Sequence, residues 1–226
     1  MNTHSDSEKT TAEKIGELIK ANSKKIIVLS VLVVLTLVLV GVYDSISTHR
    51  NDKALMVAED IEDLFNQWNE SAEADKAAVS TELQELIEST LADYDGTYAA
   101  LRANYTKGLL FSSEEKWEES MAAFLAITEE FPESYIASTS LFNAASIADQ
   151  SGDTEQALSF YESIVEKFTT SSADIPETLF NIGRLNEELG KADSAVKSYQ
   201  KIIDEYSSSS WTNIAKSRII SINANS

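Results

Sequence analysis

The sequence has no cysteine, only two prolines and seven glycines, and just two histidines. Without cysteine there is no disulfide framework, no thiolate nucleophile, no zinc site built on sulfur and no lipobox residue for lipid attachment. His4 and His49 alone can supply imidazole, which removes most metal and cysteine-histidine chemistry. Basic residues are also scarce: 18 Lys and Arg stand against 37 Asp and Glu, a formal charge of -19. A field of that sign repels phosphate backbones and anionic lipid surfaces. Nucleic acid is therefore not an expected partner, whereas a basic or weakly charged protein is. No phosphate-cradling glycine loop, His-Glu-x-x-His pattern or serine elbow occurs. Paired acids such as Glu114-Glu115 and Glu187-Glu188 are sequence neighbours that point about 100° apart on a helix, so they read as solvated faces rather than catalytic pairs. The expectation is a protein that is not an enzyme, with no cofactor, no metal and no small-molecule substrate.

What is present divides the chain. Residues 26–43, IIVLSVLVVLTLVLVGVY, are eighteen positions without a charge. As a helix they span about 27 Å, the thickness of a bilayer core, and predict a transmembrane helix. Lys20, Lys24 and Lys25 precede this run, while Asp44 follows it and no basic residue comes before Arg50. The positive-inside rule then places residues 1–25 in the cytosol and exports the rest. No Ala-x-Ala pattern follows the run, so an uncleaved single-pass anchor is expected. Ile15, Leu18 and Ile19 suggest a short amphipathic helix from Thr11 to Ala21. Residues 44–53 read as a juxtamembrane linker. The exported part carries 33 acidic and 13 basic residues, so the charge imbalance belongs to it.

Residues 54–226 contain a period. Gly108, Ala145 and Gly183 are separated by 37 and 38 residues; so are Phe124, Tyr161 and Tyr199; so are Phe131, Phe168 and Tyr206; so are Ser120, Ala157 and Ala195. Intervals of this size predict an α-solenoid of helical hairpins. Repeats are expected at 101–132, 138–169 and 176–207, preceded by a divergent hairpin at 54–94 and closed by a capping helix at 209–222. Gly152 and Gly190 mark turns inside two repeats, where Glu115 stands in the first. Pro132 falls after a helix and Pro176 at the start of one. The fold class expected is all-α: one N-terminal transmembrane helix, then the solenoid.

These positions resemble tetratricopeptide repeats, on Leu141, Ala145, Gly152, Ala157, Tyr161 and Ile164 in the middle unit and Leu179, Gly183, Gly190, Ala195, Tyr199 and Ile202 in the last. With the anchor and short cytosolic head, the architecture resembles the YfgM-like family of bacterial inner-membrane ancillary subunits of the Sec translocon. That resemblance implies a noncatalytic periplasmic adaptor whose partners are the translocon and a membrane-anchored periplasmic chaperone, in the inner membrane with the N-terminus cytosolic. The repeats also look like those of outer-membrane assembly lipoproteins and envelope division-coordination proteins, but no lipobox cysteine is present. An envelope assembly or oligomerisation scaffold is the other reading.

The resemblance implies that the first helix of each hairpin lines a partner groove. Its candidate residues here are Arg102, Tyr105, Leu109, Phe142, Ser146, Phe180, Arg184 and Glu187. Tyr105, Phe142 and Phe180 recur at the repeat interval, either as anchors for a peptide or as packing between helices. Arg102 and Arg184 matter because cations are rare in this domain. Asn143 and Asn181 are present, but the lysines that accompany such asparagines in a terminal-carboxylate clamp are not.

Overall fold

The computed structural model describes residues 11, 20–169 and 172–224, and among these the secondary structure is helical, with nine long helices. Ile15, Leu18 and Ile19, expected on an amphipathic helix, lie outside the described residues. The chain divides into two units, residues 1–52 and 53–226.

Helix α1 spans Ser23–Glu70. Between Gly41 and Glu70 there is neither glycine nor proline to break the helix, and residues 44–53, expected as a linker, are helical. From Ile26 to Tyr43 every side chain is exposed, Leu39 by 68%. A soluble core helix would be covered. This one is long and apolar enough to cross a membrane, with a mean hydropathy of 3.0 over eighteen residues and none of them buried.

In the second unit, the end of α1 packs on α2 (Glu73–Asp93) and α3 (Tyr98–Ser113) through Ile61, Trp68, Leu83, Ile87 and Leu110. Then α3 pairs with α4 (Trp117–Glu130), α5 (Ala137–Gln150) with α6 (Thr154–Phe168), and α7 (Ile175–Glu188) with α8 (Ala192–Glu205); α9 (Trp211–Ala224) closes on α8.

Each hairpin turns the same way. Glu115, Gly152 and Gly190 have φ of 58°, 85° and 70°. The next residue's N–H then reaches back five positions: Lys116 to Phe111 O at 2.8 Å, Asp153 to Ala148 O at 2.9 Å, Lys191 to Asn186 O at 2.7 Å. This is the left-handed helix stop that glycine favours, and Glu115 adopts it with a side chain. Asp153 caps α6, its Oδ1 accepting from Gln156 N–H at 3.0 Å. Between hairpins, Thr97, Ser134 and Ser209 N–H bond back to Tyr94, Phe131 and Tyr206 O.

Inside a hairpin the helices approach closely. A Cβ on Gly108 would stand 2.7 Å from Phe124 ring atoms, and one on Gly183 would stand 2.6 Å from Tyr199 Cζ. Ser120 uses the same proximity to donate its Oγ hydrogen to Gly108 O at 2.6 Å. Repeat spacing sets Ala103, Ser140, Thr178 and Ala215 in one register, and all four are fully buried. In that register α9 places Ile220, 69% exposed, where the hairpins have Gly108, Ala145 and Gly183.

The C-terminal end is clamped by Glu187. Its carboxylate accepts from Tyr199 Oη at 2.6 Å and from Arg218 Nε at 3.0 Å, joining α7, α8 and α9. Burial raises the Glu187 carboxyl, but the Arg218 and Tyr199 donors outweigh it and hold the group below the ordinary glutamate value. A lowered folded value means that the stabilisation is complete at neutral pH and is lost as pH falls through that value. Glu187→Gln should cost about 2 kcal/mol at neutral pH and flatten the acid limb of stability; urea unfolding from pH 7 to 3 checks both. Glu115→Gly should relieve the left-handed strain and stabilise by about 1 kcal/mol, measured the same way; unchanged or lower stability would contradict it.

Candidate functional site

The first helices carry the expected groove residues one hairpin at a time, and the structure gives most of them internal work. On α3, the Tyr105 ring meets Phe124 edge-on, with centroids 5.7 Å apart and planes at 71°. Leu109 packs beside them into the cluster around Phe124, Ala144 and Ile147. On α5, Phe142 meets Tyr161 at 5.3 Å and 72°. On α7, Phe180 lies 5.5 Å from Tyr199 and 4.7 Å from Trp211, bridging its own hairpin to α9. These aromatics therefore stack on the buried ring of the second helix, and half-buried edges are what they leave to solvent. Burial and the nearby Asp149 carboxylate push the Tyr161 phenol up to about 12, so it stays neutral.

The two arginines are paired. Arg102 Nη2 lies 3.1 Å from Glu62 Oε2, tying α3 to α1, with its side chain only 20% exposed. Arg184 pairs with Asp149 on α5 and, at 3.5 Å, with Glu188 on its own helix. With Arg218 on Glu187, guanidinium pairs thus tie α3 to α1, α7 to α5 and α9 to α7. Ser146 and Glu187 are likewise half-buried, Glu187 inside the clamp already described. With its cations neutralised, this side of the unit offers carboxylates and aromatic edges. That chemistry suits a partner carrying basic and apolar groups.

Two residues absent from the sequence expectation are the most exposed aromatics of the repeats. Tyr98 is 43% and Tyr135 73% exposed. Burial, followed by a side-chain hydrogen bond and charge coupling with Tyr135, raises the Tyr98 phenol. They are 37 residues apart, so the interval that reveals Tyr105 and Phe142 contains them as well. Tyr98 is the first residue of α3 and Tyr135 precedes α5 by two, so both stand at the helix starts rather than within the apolar pattern, which is why pattern alone passes them over.

Among the described residues no group of three or more His, Asp or Glu side chains is placed to hold a metal ion.

Residues 139–171 and 177–209 match the tetratricopeptide repeat family. The match covers these two hairpins, less than half of the chain. The matched segments are α5 with α6 and α7 with α8, and the α3–α4 hairpin keeps their small-residue, aromatic and turn positions. No curated protein matches the chain. Among solved structures, MamA of AMB-1 aligns at 15% identity and a TM-score of 0.47 over 72% of this chain and 93% of that one. A double mutant of MamA from RS-1 aligns at 9% identity and 0.48 over 75% and 96%, and MamA of MSR-1 at 14% and 0.44 over 76% and 97%.

Because Phe180 joins two other rings and Phe142 one, Phe180→Ala should lower stability by about 3–4 kcal/mol and loosen α9, with Phe142→Ala costing less. Gly183→Ala should cost about 1–3 kcal/mol, since the new methyl meets the Tyr199 ring. Thermal melts followed by far-UV circular dichroism check the order; equal losses for both phenylalanines would contradict it.

Proposed function

We propose that the protein is a membrane-anchored, noncatalytic adaptor that holds protein partners on the exported side of the bacterial inner membrane. The Sec translocon and a membrane-anchored periplasmic chaperone are the partners to seek. The observation that carries this reading is the pairing, on one chain, of tetratricopeptide repeats at 139–171 and 177–209 with an uncovered apolar helix of membrane-spanning length. Repeats of this kind are interaction modules, and the anchor would hold them at the surface where exported chains emerge. Lys20, Lys24 and Lys25 before the apolar run support a cytosolic N-terminus. Residues Arg102, Tyr105, Leu109, Phe142, Phe180 and Arg184 form the proposed contact face, with Tyr98 and Tyr135 at its accessible edge.

A second reading, an envelope assembly or oligomerisation scaffold, draws on a different observation. The first-helix aromatics are partly taken up by packing, while Ile214 and Ile220 on α9 are 45% and 69% exposed. A photocrosslinking amino acid placed at Tyr98, Tyr135, Ile214 or Ile220 of the full chain, in intact membranes, separates the two. Crosslinks from Tyr98 or Tyr135 to a translocon subunit or chaperone are expected. Crosslinks confined to Ile214 and Ile220, reaching other envelope proteins or another copy, would overturn the secretion adaptor.

A further inference from the structure

The repeats test each other's packing. Phe160 on α6 packs with Leu125 of α4 into the cluster around Phe124, Ala144 and Ile147. One repeat earlier, 37 residues back, the positions of Phe160, Leu125 and Ala144 are held by Ala123, Glu88 and Lys107. Where the later unit has the Phe160 ring the earlier one has the Ala123 methyl, and where the earlier unit has the Phe111 ring the later one has Ala148. A cleft of about 430 Å³ lies there, walled by α2 and α4 and floored by α3. Ala122, Ala123 and Ala126 form one wall, with Phe111 facing them from the floor. Lys107 leans over the Phe111 ring at 5.8 Å and pairs with Glu88 at 3.6 Å, so the cation on this side is already neutralised. Glu119 stands on the rim, exposed, with no ion pair among the described residues.

We infer that this cleft is a docking site for a basic segment of a partner protein that inserts one large apolar side chain of phenylalanine or leucine size. Two observations choose that occupant. The same register one repeat later is filled by a phenyl ring, and the three alanines with Phe111 give the cleft an apolar wall, while Glu88, Asn104 and Lys107 line its α2 and α3 side. The rim and the exported part around it are anionic, with 33 acidic against 13 basic residues, so the flanks of the inserted residue carry lysine or arginine for Glu119 to accept. The site is built by second helices and by the inner side of α3, apart from the first-helix face, and does not depend on which partner that face holds.

The test uses the full chain in phosphatidylcholine nanodiscs and two fluorescein-labelled 14-residue Lys/Ala peptides, identical except for a central Phe or Ala. Fluorescence anisotropy should show the Phe peptide binding at least tenfold more tightly, since the shared lysines cancel in the comparison. Ala123→Phe supplies the missing ring from within and should remove the difference while raising the melting temperature by a few degrees. Ala122→Gln, at an exposed position that leaves the core untouched, should also remove the difference by blocking the mouth, with the far-UV spectrum unchanged. If the two peptides bind alike, or if the difference survives Ala122→Gln, the docking site is overturned. A photocrosslinker at Ala122 that captures only a second copy of this chain overturns the proposed occupant.

Discussion

One close approach governs the array. On the first helix of a hairpin a residue with little or no side chain lets an aromatic ring of the second helix lie against the backbone, as Phe124 does at Gly108 and Tyr199 at Gly183. That approach fixes the helix separation, and the remaining contacts follow. Tyr105, Phe142 and Phe180 stack on the rings so placed. The depth of Tyr199 also brings its hydroxyl to Glu187, and Glu187 in turn holds Arg218 of α9. The contacts that could have been a free ladder for a partner are consequences of how the hairpin closes.

The hairpins were legible because backbone proximity allows so few residue types. Only a small residue tolerates a ring against the backbone, so the intervals of Gly108, Ala145 and Gly183 mark real geometry rather than resemblance. The turn at Glu115 is legible as a position but not as a conformation, since nothing in its side chain announces a positive φ. The state of Arg102 and Arg184 was not readable at all. Their carboxylates, Glu62 and Asp149, lie 40 and 35 residues upstream, off the repeat interval, and sit on helices whose neighbourhood is known only once the hairpins are stacked. Tyr98 and Tyr135 share the interval but lie at the start of α3 and just before α5, so no amphipathic pattern includes them. The uninterrupted helix through residues 44–53 follows from missing helix breakers, an absence easier to see after the fact.

The acidity of the chain takes a definite form in the folded unit. The described arginines of the repeats and cap are engaged with carboxylates, and the lysines at 76, 107 and 116 also lie over aromatic rings. Exposed pairs of this kind contribute about 0–1 kcal/mol each, so their larger effect is on what remains: a surface whose uncompensated groups are mostly carboxylates. Such a surface selects against anions and acidic proteins before any specific contact forms.

Ile220 bears on how such a protein can change. It occupies, on α9, the place reserved for glycine or alanine wherever a second helix follows, and it stands open to solvent. A hairpin duplicated onto that end would bring its aromatic down on a branched side chain instead of a bare backbone. Duplication of a hairpin is thus easier between hairpins that already present glycine or alanine at that place than onto the open face of α9.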